Sequence, residues 1–244
     1  MFNPAWFFRV PFRALQAWRS WFSPAWTRAL RFPGFQLATV PIRSLGPDHM
    51  PRIQAHLLDL SPGDRYLRFG YAANDAQIAH YVQGLNFERD EIFGIYNRRL
   101  ELLAMAHLAF SVDPQFNSCA EFGVSVRATA RGRGYGARLF ERATTHARNE
   151  GVSLMFVHAL SENTAMLKIA RKAGAQTVRE GPESECHLRL PPADMDSRIT
   201  ELFEEHMAQT DYHLKRQASQ FRELLRVVQE VRLGVREARD QASP

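Results

Sequence analysis

Within residues 126–141, "VRATARGRGYGARLFE", three glycines stand at every second position directly ahead of a helix-like run. A strand, a short irregular link, then Gly132, Gly134 and Gly136 opening a helix is a way to present several bare backbone N–H groups at a helix N-terminus. The dipole there favours an anion, so the implied ligand is a phosphate. A Walker A loop is excluded, because no Lys-Ser or Lys-Thr follows the glycines. The dinucleotide pattern GxGxxG/A is formally met by Gly132, Gly134 and Ala137. In that fold, however, the first glycine ends the first strand of a parallel unit, whereas here several strands, one hairpin among them, come before it. The acidic residue expected about 20 positions further on is also missing, since "SLMFVHAL" ends without one. A tight turn without a ligand is the bland alternative, but three glycines alternating with Arg and Tyr exceed what a turn requires.

The rest of the chain reads as one domain with appendages. At 244 residues, 45% hydrophobic and 23% charged, it can bury one full core with material left over. No apolar run approaches the ~18–20 residues of a membrane-spanning helix, and no secretory leader pattern opens the chain, so the expected compartment is the cytoplasm. Cys119 and Cys186 sit in strand-like segments without CxxC spacing, which points to small buried residues and to neither a metal site nor a disulfide framework.

Three zones follow. Residues 1–34 are crowded with aromatics, broken by Pro4, Pro11, Pro24 and Pro33, and suit short helices between turns. Residues 1–47 hold six arginines and no acidic residue, so the net charge of +5 belongs to this arm. Residues 35–190 form the expected compact domain. Its strands are expected at "FQLATV", "EIFGIYN", "LELLAMAHLAF", "CAEFGVSV", "SLMFVHAL" and "CHLRL", with "NRR" as a hairpin turn. Helices are expected near 48–60, 62–69 with Ser61 as N-cap, 75–84, 134–149 and 163–173. Residues 191–244 suit one long helix, broken near 208–214, with Phe221, Leu225, Val228 and Val235 at helical spacing.

Arg131-Gly132-Arg133-Gly134-Tyr135-Gly136 resembles the [QR]xxGx[GA] signature of the GNAT N-acetyltransferase superfamily, whose loop cradles the pyrophosphate of coenzyme A (CoA). The flanks agree: a strand like "EFGVSV" before it, then a helix, a strand like "SLMFVHAL", and an Asn…Gly helix, here "ENTAMLKIARKAGA". The segment "LSPGDRYLRFG" is similar to one in bacterial protein-lysine acetyltransferases. The resemblance implies an α+β (mixed α/β) fold: a central, mostly antiparallel, strongly twisted sheet flanked by helices, here with helical N- and C-terminal extensions. It also implies acetyl-CoA as co-substrate and an amine-bearing acceptor, a protein lysine or a small molecule, with no metal and no nucleic-acid partner.

Acetyl transfer from a thioester to an amine requires a phosphate anchor, a polarised carbonyl, and a base for the ammonium proton. By the resemblance, the anchor is the backbone of Arg131, Gly132, Arg133, Gly134, Tyr135, Gly136 and Ala137, with the two arginines adding charge. Backbone groups of Val124, Ser125 and Val126, on a strand splayed from its neighbour, pair with the pantetheine. Glu121, in the otherwise apolar "CAEFGVSV", is the candidate base, expected to be partly desolvated; the alternative is a salt-bridged glutamate at the rim. Asn163 either bonds the pantetheine or caps its helix. Many family members carry a tyrosine acid where this chain has Ala170, so the leaving thiolate is left to water. His107 and His158 read as core or channel residues, and His146 as solvated. The alternative function is a non-catalytic acyl-CoA-binding module, attached to a partner or membrane by its extensions.

The arm shows Trp6, Phe7, Phe8, Phe12, Trp18, Trp21, Phe22 and Trp26 among its arginines, too much apolar surface to leave in water. Its expected cover is the tail stripe Phe221, Leu224, Leu225, Val228 and Val231, in the same chain or in a homodimer. An anionic membrane surface is the second option.

Overall fold

The computed structural model describes residues 40–113, 118–181 and 183–241, with the backbone alone at 179, 180, 183 and from 221 onward. The arm over 1–34 thus lies outside the described residues, and so do the side chains of Phe221, Leu224, Leu225, Val228, Val231 and Val235. Most of the strand expected at "FQLATV" also lies outside, and Val40 is not in a strand; the first described strand is the two-residue β1, Arg43–Ser44.

Three short helices come next, each set by local chemistry. A 3-10 turn, Pro47–His49, leads into α1, Met50–Leu58. In α2, Pro62–Phe69, the Ser61 hydroxyl accepts from the Asp64 N–H, Pro62 occupies the first turn, and Gly70 ends the helix at φ 79°. In α3, Asp75–Gln83, Asn74 and Gln77 cap each other's backbone reciprocally. The strands β2 (Glu91–Tyr96) and β3 (Leu102–Phe110) form the expected hairpin, and β4 (Cys119–Val126) follows. Then come α4 (Tyr135–Asn149), β5 (Leu154–Leu160) and α5 (Thr164–Lys172). A closing hairpin pairs β6 (Gln176–Glu180) with β7 (Glu183–Arg189). The β6 segment "QTVRE" has no counterpart among the strands expected from sequence, because a short polar strand carries little apolar signal.

The seven strands run in the order β1-β2-β3-β4-β5-β7-β6, and only β4 with β5 is parallel. The fold is the mixed α/β, mostly antiparallel sheet expected. Its faces bury different side chains because successive residues of a strand point opposite ways. On one face Phe93, Ala104, Phe122 and Val157 pack with Leu139 and Phe140 of α4 and Leu167 of α5. On the other, Ile92, Tyr96 and Met105 pack with Ile53 and Leu57 of α1 and Ile78 of α3. Phe122 meets Phe140 edge to face at 5.0 Å, a geometry that adds to area burial.

The last helix, α6, runs unbroken through Met195–Gln241, so the expected break near 208–214 is absent. Its first turns are fastened to α4 by a polar clamp. Arg142, 3% exposed, reaches Glu201 at 2.7 Å and Glu205 at 3.4 Å. His146 bonds the same Glu201 oxygen at 2.6 Å. His146 is therefore not solvated. Burial alone would lower its pKa, but the bond to Glu201 and the charge of Glu91 raise it. Burial likewise pushes Glu201 up, yet hydrogen bonds from His146, Asn149 and Arg142 bring it down to about 2.

Candidate functional site

The parallel pair β4–β5 stops early. Its register is Cys119 with Leu154, Ala120 with Met155 and Glu121 with Phe156; beyond that the strands separate. β4 remains paired to β3 through Val126, and β5 to β7 through Leu160. Neither strand can follow the other without breaking its second partnership. The result is a wedge whose β4 edge carries backbone groups with no strand opposite among the described residues, and a cavity of about 490 Å³ opens there. It is lined by Arg68, Glu121 to Val124, Val157 to Leu160 and Asn163.

At the wide end of the wedge lies the glycine loop. After Arg127, a 3-10 turn Ala128–Ala130 leads to Gly132 at φ 74° and Gly134 at φ 77°, both in the left-handed region that other residues rarely adopt. A Cβ on either would meet no atom of the described residues within 4 Å, so among these residues the space over the loop is open. Gly134 is the N-cap of α4, no side chain caps the helix, and the first-turn N–H groups have no intrahelical acceptor. Such a cradle fits a pyrophosphate. Gly136 differs from the other two: its Cβ position lies 3.3 Å from Ile169 Cδ1, so it serves close packing of α4 on α5. Tyr135 also packs on the core, while Ala137 is exposed.

The two arginines of the loop are unlike. Arg131 pairs with Asp64 at the start of α2, which ties the loop to that helix. Burial works against ionisation of Asp64, but bonds from Ser61 and Arg131 hold its carboxyl below the usual range. Arg133 is exposed, and among the described residues it reaches only the Thr129 carbonyl, at 3.4 Å.

Along β4, Val124 and Val126 pack toward the α4 side, and Ser125 points to the opposite face. His56, pushed down to about 4 by burial, donates from Nδ1 to the Leu102 carbonyl and accepts the Ser125 hydroxyl at Nε2, both at 2.9 Å. The Ser125 side chain is thus spent, and so is its backbone. The Arg127 N–H donates to the Leu103 carbonyl and the Ser111 N–H to the Cys119 carbonyl, so by alternation Ser125 turns its N–H and C=O toward Met105 of β3. The open edge is left to the backbone of Val124 and Val126. Asn163 accepts from the Met166 N–H at 3.1 Å as the cap of α5, and it also lines the cavity. Ala170 is fully buried in the core.

Glu121 is exposed, contrary to the partly desolvated site expected from its apolar neighbours. Alternation explains this: Ala120 and Phe122 face the core beneath α4, and Glu121 points the other way, where no helix among the described residues covers it. It lines both the first cavity and a second, of about 510 Å³, formed with Phe110, Val112 and Phe156. His158 and Glu185 line both as well. His158 is 56% exposed and 3.7 Å from Glu185.

A chain of hydrogen bonds that the sequence did not reveal lies beside Glu121. Arg68 Nη2 donates to Tyr81 Oη at 3.0 Å, Tyr81 Oη lies 2.8 Å from His107 Nδ1, and His107 Nε2 is 3.2 Å from Asp90 Oδ2. A guanidinium only donates, so Tyr81 accepts from it and spends its own proton on Nδ1; Nε2–H then donates to the carboxylate. Burial and the charge of Arg68 lower the His107 pKa against the pull of Asp90, which fits this neutral tautomer. Burial raises Tyr81 and keeps it a phenol. Asp90 is raised by burial but lowered further by bonds from Arg89 and His107. The one available signal was Gly123, an isolated glycine inside a strand, which implies close approach of another group. That group is Arg68: a Cβ at 123 would lie 2.6 Å from its guanidinium carbon.

Residues 59–175 match the family model described as the acetyltransferase (GNAT) family. Solved structures with the same fold include the GNAT domain of S. lividans PAT, at 21% identity and a TM-score of 0.53 over 61% of this chain and 89% of that one. An N-acetyltransferase from Staphylococcus aureus Mu50 aligns at 17% identity and TM-score 0.52, over 62% and 98%. The yncA protein of Salmonella typhimurium, solved with its cofactor acetyl-CoA, aligns at 15% and 0.50, over 64% and 97%. The stretch 59–175, which carries the glycine loop, the parted strands and Glu121, is thus a domain of the GNAT acetyltransferase superfamily.

Proposed function

We propose that this protein is an N-acetyltransferase that moves the acetyl group of acetyl-CoA directly to a primary amine, of a protein lysine or a small molecule, within a ternary complex. The observation that carries the proposal is the separation of β4 from β5 immediately past Glu121 and Phe156, between the glycine loop and a carboxylate. A cofactor arm can complete the β4 edge as a missing strand would, through the backbone of Val124 and Val126, while the Ser125 backbone stays paired to Met105. The loop N–H groups of Gly132 to Ala137 and the Arg133 side chain would hold the pyrophosphate.

In the reaction the amine lone pair attacks the acetyl carbon, and the carbonyl π electrons move to oxygen. They return as the C–S bond breaks, with that bond's electron pair leaving on the CoA sulfur, which takes a proton from water. Glu121, at the junction of the two cavities, accepts the proton that the nitrogen sheds. Its exposure leaves it free to exchange that proton with solvent between turnovers.

Thiol release from acetyl-CoA with pooled amines and lysine peptides tests the reading, with CoA binding followed by calorimetry. Glu121→Gln should keep CoA affinity and lower turnover by about 10²–10⁴. CoA binding without any thiol release would favour the non-catalytic acyl-CoA-binding module.

A further inference from the structure

Arg68 is the least explained charge in the site. Its guanidinium lines the first cavity and lies flat across β4 at Gly123, two residues from Glu121 and on the same face of the sheet. No carboxylate stands within 4.0 Å of it among the described residues. Asp90, reached only through Tyr81 and His107, is already engaged by Arg89 at 2.6 and 2.7 Å and by the Phe110 N–H at 3.2 Å. The Arg68 Nε is buried with no hydrogen-bond partner among the described residues. A half-buried cation left so, yet held rigidly, is costly unless something anionic meets it during function.

The rigidity has a visible source. Tyr81, 2.8 Å from His107, cannot turn without losing that bond, and the Tyr81 and Phe69 rings flank the guanidinium at 5.7 and 5.3 Å. The relay therefore aims the cation and does not neutralise it, because the two side chains against it, the Tyr81 phenol and the Phe69 ring, carry no net charge.

On the acetyltransferase reading, from which this inference starts, the acetyl carbonyl lies in the wedge where β4 leaves β5, next to Gly123. We infer that Arg68 is the side-chain donor to the acetyl carbonyl oxygen. It takes the negative charge that appears there as the amine attacks and gives it up as the C–S bond breaks. Tyr81, His107 and Asp90 are positioning residues that act through Arg68. A donor fixed beforehand needs no reorganisation when the charge develops, which is the source of its effect on rate.

The carbonyl can be observed directly. Isotope-edited infrared spectroscopy of [1-13C]acetyl-CoA bound to the full-length protein should show the C=O stretch lowered relative to free acetyl-CoA. In Arg68→Gln it should return toward the free value, while calorimetry shows CoA affinity within about twofold of wild type. Thiol release should fall by about 10²–10³, the usual loss for one such donor, with Arg68→Lys recovering part of it. Tyr81→Phe, which keeps the ring and removes the hydroxyl, should reverse part of the infrared shift. An identical stretch in wild type and Arg68→Gln overturns the inference. So does a loss confined to the KM of the acceptor, which would assign Arg68 to an anionic group on that substrate. Failure of the wild type to bind CoA is a separate result that removes the acetyltransferase reading itself.

Discussion

Replacing Gly123 by alanine adds a single methyl group, and that group would lie 2.6 Å from Arg68 Cζ and Nη1 and 2.7 Å from Nη2. Ordinary contacts between such atoms are about 3.5–4.0 Å, so the guanidinium must retreat by about 1 Å. It can do so, being the end of a long side chain, at the cost of its bond to Tyr81. A hydrogen bond from a charged donor is worth about 1.5–3 kcal/mol, and the folded domain should survive that loss. Catalysis should not survive it equally well. A displacement of about 1 Å in a positioned group costs about 10²-fold in rate, while the glycine loop proposed to hold CoA is untouched. The assay is thiol release alongside CoA calorimetry and thermal melting, repeated in an Arg68→Ala background. There the methyl has nothing to push, so the two substitutions together should cost little more than Arg68→Ala alone. Wild-type turnover in a folded Gly123→Ala protein would refute the reasoning. Full additivity with Arg68→Ala would show that the methyl obstructs substrate directly.

Gly134→Val should abolish CoA binding in calorimetry without unfolding the core, since φ 77° strains a β-branched residue and its side chain would fill the open space above the loop. The clamp between α4 and α6 should give a pH-dependent stability. Glu201 has a folded pKa of about 2, below its ordinary 4.5, so its contribution is present above pH 4.5 and is lost as pH falls toward 2. His146, raised above 6.5, contributes fully below that value, and its share is lost as pH rises through its folded pKa. Urea denaturation should therefore find the clamp strongest between pH 4.5 and 6.5. Glu201→Gln should flatten the acid limb by about 3 kcal/mol; an unchanged limb would show that Glu201 is not its source. Phe122→Ala should destabilise the domain by about 3–5 kcal/mol, by removing the ring that meets Phe140 in the core.

What could be read from the sequence was whatever a few adjacent residues decide. Helix α2 begins at Ser61-Pro62 and ends at Gly70 because a cap, a fixed φ and a left-handed turn are local properties. The glycines at 132 and 134 announced an open loop for the same reason: a positive φ belongs to one residue and leaves its mark in that residue's identity. The polar β6, without an apolar run of its own, is defined by its pairing with β7. The exposure of Glu121 needed the tertiary structure, since "CAEFGVSV" does not say which face of the strand a helix covers. His146 looked solvated until α6, 55 residues further on, supplied Glu201. The relay from Arg68 through Tyr81 and His107 to Asp90 draws on α2, α3, β3 and the turn before β2. Its members are ordinary residues in ordinary local settings. They become a site only when the register of β2, β3 and β4 brings them together, and register is an agreement among strands that no single stretch of sequence contains.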